Sequence, residues 1–134
     1  MLVSTRGRYA LRFLVDLAEN QGTGFITTRE LAERQQVSQK YAERLMASLS
    51  RGKFVETAHG KKGGYRLGRM PEDYRVSDIL RAMNEELVPV ECMTCEPNKC
   101  PRAGNCRTLP MWKKLGKVIN DFFDGVTLAD LMKK

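Results

Sequence analysis

The first twenty residues place apolar side chains three and four positions apart, which is the spacing of an amphipathic α-helix. We predict this helix over residues 5–20, and the glycines at positions 22 and 24 suit its end and the loop that follows. Its inward-facing residues are predicted to be Tyr9, Leu11, Phe13, Leu14, Leu17 and Ala18.

Two further helices joined by a tight turn are predicted next. Thr27 and Glu30 match a capping box, in which a hydroxyl and a carboxylate bind the free amides of a helix start, so a helix is predicted over residues 28–35. Ser38 suits the N-cap of a third helix. This helix-turn-helix has Gln36 where many such turns have glycine, which predicts some strain. The third helix turns inward Tyr41, Ala42, Leu45, Met46 and Leu49.

In a DNA-binding helix-turn-helix, the start of the second helix of the motif enters the major groove. Gln39 has the amide that pairs with adenine, and Glu43 can accept a hydrogen bond from cytosine. Lys40 and Arg44 suit phosphate or guanine, whereas Tyr41 suits either core packing or a phosphate contact. The residues predicted to bind DNA from this motif are Thr28, Ser38, Gln39, Lys40, Tyr41, Glu43 and Arg44.

A β-hairpin is predicted after the third helix. Residues 54–57 and 65–67 are short β-type runs, and three glycines, two lysines and the single histidine lie between them. Such a hairpin forms a wing whose basic tip can lie on the DNA backbone or in the minor groove. We expect DNA contacts from His59, Lys61 and Lys62, with an exposed histidine that has no function as the alternative.

The last part of the chain contains one strongly amphipathic helix, predicted over about residues 109–124. Its apolar face is too large to remain in water, so it must pack against its own domain or a second copy. Because helix-turn-helix proteins generally bind palindromic sites as two-fold dimers, we expect a homodimer. The predicted dimerisation residues are Trp112, Leu115, Ile119, Phe122 and Phe123, and Thr127 and Asp130 cap a final turn.

The composition is that of a globular protein, with 42% hydrophobic residues and no apolar run long enough to span a membrane. Residues 1–75 hold 14 Lys and Arg against 8 Asp and Glu, whereas residues 76–134 hold 9 against 8. The first part therefore has the charge expected of a protein that binds DNA phosphates, with a solvated basic face as the alternative. The lack of an apolar signal region predicts a cytoplasmic protein.

All four cysteines lie in one fifteen-residue segment, as Cys92, Cys95, Cys100 and Cys106. Proline, glycine and short polar residues predict that this segment is a loop. In a reducing compartment, clustered cysteines are more often metal ligands or redox groups than structural disulfides. Iron–sulfur ligation, a tetrahedral zinc site and reversible thiol oxidation all use these atoms, and the spacing leaves the three open.

Three segments carry a resemblance to a known family: residues 4–12, which begin Ser4-Thr5-Arg6, residues 31–38 and residues 60–65. Together they resemble the Rrf-two family of winged-helix transcription regulators, and within it the IscR-like iron–sulfur cluster regulators. The resemblance covers essentially the whole chain. It implies a homodimer with a long crossing helix, binding to operator DNA and, in the cysteine-bearing branch, a [2Fe-2S] or [4Fe-4S] cluster.

The resemblance also implies that Cys92, Cys100 and Cys106 hold the cluster. Related proteins of one type take a fourth ligand from a histidine three residues after the last cysteine, where this chain has Leu109. Cys95 is the replacement that we expect. A carboxylate or a residue of the partner subunit is the alternative, the candidates within this chain being Glu91 and Glu96.

A site with four thiolates would carry more negative charge than one with three thiolates and an imidazole. It should therefore have a lower reduction potential and little dependence on pH. We expect a [2Fe-2S] cluster, with [4Fe-4S] and zinc as alternatives. Many members of the family have arginine where this chain has His59, so the minor-groove preference is expected to differ.

The sequence thus predicts a mainly α fold with a small β-hairpin wing. It divides into a winged helix-turn-helix domain (1–84), a cysteine-rich cluster-binding loop (85–107) and a dimerisation helix with a tail (108–134). The predicted function is a dimeric regulator, a repressor rather than an activator, that binds a palindromic double-stranded operator under the control of an iron–sulfur cluster. It would govern cluster biogenesis or a related redox or iron response.

Two alternatives have different functions. One is a constitutive or thiol-redox DNA-binding regulator with a zinc-filled or metal-free loop. The other is an electron-transfer protein or redox enzyme that uses the same cluster. The chain has no dinucleotide-binding fingerprint and no nucleophile–base pair, so we predict that it is not an enzyme.

Overall fold

The structure, a computed structural model, describes residues 3–94 and 97–133. In these residues it is mainly helical, with a two-stranded antiparallel hairpin, and no helix among them is long and apolar enough to cross a membrane. The elements are α1 (Thr5–Asn20), α2 (Thr28–Gln35), α3 (Gln39–Arg51), β1 (Val55–Ala58), β2 (Gly64–Leu67), α4 (Val76–Ala82), α5 (Leu109–Asp124) and α6 (Leu128–Leu131), with short 3-10 helices at Pro71–Asp73 and Glu91–Met93.

The helices begin at the capping residues that the sequence indicates. Thr27 and Glu30 form the predicted capping box of α2. Ser38 accepts a hydrogen bond from the amide of Tyr41 at the start of α3, and Thr127 forms a second capping box at α6. Because each hydroxyl satisfies an amide that the helix itself leaves free, these starts are well defined. The predicted limits of α1, α2 and α5 are confirmed.

The turn between α2 and α3 has the strain that the sequence predicts. Gln36 lies in the left-handed region with φ 57°, a conformation in which glycine has no Cβ penalty. The amide of Gln36 donates to the carbonyl of Glu33 at 3.3 Å, and the amide of Val37 donates to that of Ala32 at 3.0 Å. These bonds close the turn, and the helix-turn-helix forms without glycine.

The main core lies between the helix-turn-helix, α1 and the hairpin. Tyr74 is fully buried within it and uses its hydroxyl twice, donating to the carbonyl of Phe54 at 2.5 Å and accepting from the amide of Gly68 at 3.1 Å. The largest fully buried apolar side chains of the main core are Phe13, Leu14, Leu17, Leu31, Met46, Leu49, Ile79 and Leu128.

The wing is attached directly to the segment that precedes α2. Tyr65 and Ile26 exchange backbone hydrogen bonds of 2.7 and 2.8 Å. Gly64 permits this approach, because its φ is +143° and a Cβ there would lie 2.3 Å from the carbonyl oxygen of Ile26. Within the hairpin Val55 pairs with Leu67. The limits of each strand lie within one residue of the predicted ones.

One edge of α5 packs against its own domain. Val76, Leu80 and Leu87 form a second apolar cluster, and Ile119 and Phe123 contact it. These two of the five predicted dimerisation residues therefore stabilise the protein's own fold. They join α5 to α4 and to the segment that leads into the cysteine loop.

The end of the chain returns to the winged-helix domain. Leu128 is fully buried in the main core, and its amide donates to the carbonyl of Tyr74 at 3.0 Å. The amide of Val76 donates to the carbonyl of Val126 at 2.9 Å. The tail thus completes the main core. The predicted division of the chain into residues 1–84, 85–107 and 108–134 stays a prediction.

Asp16 is a buried acidic residue with a bidentate partner. Its side chain is 3% exposed, and Arg34 Nη2 lies 2.6 Å from Oδ1 while Arg34 Nε lies 3.0 Å from Oδ2. Gln35 Nε2 donates to the same Oδ2 at 2.8 Å. The hydrogen bond to Asp16 is the main cause that raises the pKa of Arg34, so the guanidinium stays charged at neutral pH. The pair joins α2 to α1.

We expect Arg34→Gln to lower the free energy of unfolding by roughly 3 kcal/mol, because it leaves a buried carboxylate without its cation. The control is Arg29→Gln, since Arg29 and its partner Glu33 are 78% and 69% exposed. That change should stay within about 0.5 kcal/mol. Urea denaturation followed by circular dichroism measures both, and equal effects would contradict a structural role for the buried pair.

Candidate nucleic-acid interface and cysteine loop

The residues predicted to read bases lie together on an exposed face at the start of α3. Gln39, Lys40, Glu43 and Arg44 are all exposed. Gln39 Nε2 lies 3.4 Å from Glu43 Oε1, so the amide and the carboxylate stand side by side one turn apart. The hydroxyl oxygen of Ser38 accepts from the helix as an N-cap, and its hydrogen remains available for donation. This face presents both donors and acceptors to a partner.

Tyr41 has one of the two roles that the sequence left open, which is packing against its own domain. Its ring is half-buried and packs edge-on against Tyr9, with ring centroids 5.9 Å apart. Its hydroxyl oxygen is buried and has no hydrogen-bond partner within the described residues. Burial is the main cause that raises the pKa of Tyr41, so the hydroxyl is a protonated donor at neutral pH. The packing is observed, and the phosphate contact stays a prediction.

Three arginines of α1 and α3 are not among the residues that the sequence predicts to contact DNA. Arg6 Nη2 and Arg51 Nη2 both donate to Ser48 Oγ, at 3.1 and 3.0 Å, and Arg8 is exposed in the first turn of α1. None of the three forms an ion pair with a described carboxylate. The spacing of Arg44, Ser48 and Arg51 along α3 was the available signal. The position of Arg6 depends on tertiary packing.

The wing tip lies beside the start of α2. His59, Lys61 and Lys62 are exposed and border a groove of about 670 Å³ that Phe25 also lines. Thr28, the first residue of α2, is half-buried. The fold therefore brings the predicted wing contacts to the edge of the helix-turn-helix.

The cysteine loop contains free thiols. Cys92, Cys100 and Cys106 are half-exposed and form no disulfide, while Cys95 and Glu96 lie outside the described residues. Among the residues that the structure describes, no three histidine, cysteine or carboxylate side chains converge into a metal-binding group. The donors have the chemistry that an iron–sulfur cluster requires. Their present arrangement would have to contract to hold one.

The hydrogen bonds in the second part of the loop, over residues 98–105, are local. The amide of Cys100 donates to Asn98 Oδ1 at 2.8 Å, that of Ala103 to the carbonyl of Cys100 at 3.0 Å, and that of Asn105 to the carbonyl of Arg102 at 3.1 Å. Since these bonds join near neighbours, this part of the loop can rearrange without breaking the core.

The entrance of the loop is tied to α5 by Asn120. Its Nδ2 donates to the carbonyls of Leu87 and Gly116, each at 2.8 Å, and its Oδ1 accepts from Arg81 Nη2 at 2.6 Å. Gly116 allows close packing, because a Cβ there would lie 3.1 Å from Cε of Met93. The side chain of Asn120 thus connects α4, α5 and the loop entrance.

The exposed apolar face of α5 contains four large side chains. Met111, Leu115, Val118 and Phe122 are between 41% and 63% exposed and are spaced four, three and four residues apart. This is the spacing of a seam between paired helices. Leu115 and Phe122 were predicted as dimerisation residues, and Trp112 is half-buried beside them.

Cys106 lies just before the start of α5. Its Sγ is 3.4 Å from Thr108 Oγ1, and the hydrogen bond from this hydroxyl is the main cause that lowers the pKa of the thiol. The backbone amides of Thr108 and Leu109 act in the same direction. A lower pKa increases the thiolate fraction at neutral pH, and the thiolate is the reactive form.

Thr108→Val should raise the pKa of Cys106, so that alkylation of this thiol requires a higher pH than in the wild type. Because the hydroxyl of Thr108 makes no capping bond to α5, the helix start should be unaffected. The measurement is the pH profile of iodoacetamide labelling of the Cys106 peptide by mass spectrometry. Thr108→Ser should keep the wild-type profile, and a shift of equal size in both variants would contradict the role of the hydroxyl.

Comparison with known proteins identifies the family. A family model described as "Rrf2: Iron-dependent Transcriptional regulator" matches residues 3–134. The chain is 35% identical over 133 residues to the protein rrf2 of Nitratidesulfovibrio vulgaris, an alignment that covers 99% of this chain and 88% of that protein.

Solved structures of similar proteins have the same fold. T. potens IscR is 34% identical with a TM-score of 0.76, covering 98% of this chain and 85% of that one. CymR, the global cysteine regulator of B. subtilis, is 28% identical with a TM-score of 0.80, covering 98% and 95%. The mainly helical fold, the hairpin wing and the long C-terminal helix are those of winged-helix regulators. The chain therefore belongs to the Rrf2 family of transcriptional regulators.

Proposed function

We propose that the protein is a dimeric DNA-binding repressor whose operator affinity is controlled by an iron–sulfur cluster on the cysteine loop. The observation that carries the proposal is the attachment of this loop, through Asn120, to α5 on one side and to the winged-helix domain on the other. A change in the loop can therefore reach both the proposed DNA-binding surface and the proposed dimer helix.

The DNA-binding part of the proposal rests on the exposed residues of α3 and the wing. Gln39 and Glu43 suit base edges in the major groove, and Lys40 and Arg44 suit guanine or phosphate. His59, Lys61 and Lys62 suit the backbone or the minor groove. Thr28, Ser38 and Tyr41 complete the proposed set. The 14 Lys and Arg in residues 1–75 support phosphate binding in this part of the chain.

The dimer part of the proposal rests on the apolar seam of α5. Two copies of the chain would cover Leu115, Phe122 and their neighbours, and Ile119 and Phe123 would support the helix from behind. A two-fold dimer presents two α3 helices to DNA, which suits a palindromic operator. The proposed mode of action is repression, by occupancy of the operator.

Cys92, Cys100 and Cys106 would hold the cluster, and Cys95 is the proposed fourth ligand. When bound, the cluster would supply a centre that responds to iron supply or to redox change. The residues of the loop would then contract around it, which would shift Met93 and Pro89 against Gly116 of α5. Because Asn120 joins the same segment to Arg81, the shift would alter the position of α5 relative to the winged helix. Four thiolates suit [2Fe-2S], with [4Fe-4S] as the alternative.

The test compares DNA binding by protein purified without oxygen with binding by the same protein after chelation. The duplex is an operator selected from a random library by the untreated protein. We expect the affinities to differ by about tenfold, within the usual range of coupling between two sites. Cys92→Ala and Cys106→Ala should abolish the difference, whereas Asn105→Gln, at an exposed position of the same loop, should keep it. Equal affinities for the untreated and stripped wild type would refute control by the cluster.

A double change of Val118 and Phe122 to Glu should convert the proposed dimer into a monomer, because it places charges in the apolar seam. Light scattering after size exclusion measures the mass. The control is Lys113→Glu, because Lys113 lines the groove beneath the cysteine loop rather than the seam. A dimer that survives the double change would contradict the proposed interface.

A second candidate is a thiol-based regulator, supported by the likeness to the global cysteine regulator CymR and by the three free, half-exposed thiols. In that case DNA binding would follow reversible oxidation of the thiols. Chelation would leave the affinity unchanged, and dithiothreitol would change it. The same binding assay therefore separates the two candidates.

A further inference from the structure

A groove beside the base-reading face is lined by arginines. It has a volume of about 460 Å³ and lies between the start of α1 and the second half of α3. Arg6, Arg44 and Arg51 line it, and all three are exposed. In the described part of the chain, no carboxylate forms an ion pair with any of them.

Ser48 brings two of these cations together. Its Oγ accepts from Arg6 Nη2 at 3.1 Å and from Arg51 Nη2 at 3.0 Å, and its hydrogen is directed to the carbonyl of Arg44 at 3.3 Å. Two guanidinium groups that share a neutral acceptor repel one another. Each has further N–H donors that suit a multidentate contact with an oxyanion. An anion between them would remove the repulsion and use these donors.

Tyr41 lines the same groove. Its hydroxyl oxygen is buried and has no hydrogen-bond partner among the described residues, which costs free energy that a bound acceptor would recover. Leu45 and Ala47 form an apolar wall. The groove thus combines three cations, an unused donor and partial shielding from water.

We propose that this groove binds one phosphate group, and that in the DNA complex it is a backbone phosphate beside the base pairs read by Gln39 and Glu43. This rests on the proposed DNA-binding function. Arg44 borders both surfaces, and Arg51 ends α3, where a recognition helix approaches the backbone. A phosphate held here positions the protein on the duplex without a sequence preference.

The test uses a duplex of random sequence, because non-specific affinity depends on phosphate contacts and falls with salt in proportion to their number. Fluorescence anisotropy gives the affinity between about 50 and 200 mM salt. Because Arg6 and Arg51 contact the same phosphate, the double variant Arg6→Gln with Arg51→Gln should reduce the slope of log affinity against log salt by about one, and each single variant should reduce it by less. For each phosphate contact that is lost, the fall in DNA affinity between about 50 and 200 mM salt should be roughly threefold smaller.

The matched control is Arg75→Gln, an exposed arginine before α4 that lies outside the groove, and its slope should equal that of the wild type. Tyr41→Phe should weaken binding several-fold with an unchanged slope, since the hydroxyl is neutral. Thermal melts by circular dichroism show that each variant is folded. Wild-type slopes in Arg6→Gln, Arg51→Gln and the double variant would overturn the phosphate site.

Two further results separate this proposal from the function on which it rests. A wild-type protein that binds no duplex at about 50 mM salt would refute the DNA-binding function itself. Inorganic phosphate should displace the duplex better than chloride of equal ionic strength, and Arg51→Gln should lose this difference, because both ligands use the same groove. If Arg51→Gln loses the binding of inorganic phosphate but keeps the wild-type salt slope on DNA, the backbone assignment is overturned and a free phosphate compound is the ligand.

Discussion

The ion pair between the buried Asp16 and Arg34 fixes the position of α2, and the proposed DNA-binding surface depends on that position. Gln35 donates to the same carboxylate and accepts from Arg12 Nε at 2.9 Å, so the end of α2 is held at two points on α1. The strained turn at Gln36 then sets the direction of α3. Because the wing is bridged to Ile26 just before α2, its tip is held relative to the same helix.

The cysteine loop is connected to α5 and to the start of α1. Asn120 joins its entrance to α5, and Glu85, its first residue, accepts hydrogen bonds from the amide of Ser4, at 3.0 Å, and from the hydroxyl of Ser4. Ser4 also caps α1, whose first turn contains Arg6. A carboxylate at a helix start is favoured by the helix dipole. Rearrangement of the loop would therefore act on the start of α1 as well as on α5.

Local features of this protein could be predicted from its sequence, because they depend on residues close together in the chain. The capping boxes at Thr27 and Thr127 and the helical spacing of apolar residues determine where helices begin and end. The buried role of Asp16 could not be predicted, because its partners are 18 and 19 residues away. Helical spacing alone also did not distinguish Ile119, which packs on its own domain, from Phe122, which is exposed.

The candidate site likewise has one part that follows from the sequence and one part that depends on tertiary packing. The base-reading face of α3 follows from the helix-turn-helix pattern, whereas the groove around Ser48 requires α1 and α3 to meet. The proposed control by an iron–sulfur cluster depends on what the cysteines bind, and metal analysis of protein purified without oxygen determines this. A protein that holds the cluster should show visible absorbance with iron and acid-labile sulfide in equal amounts. A colourless protein with one zinc ion per chain, or with no metal, would contradict the proposed control.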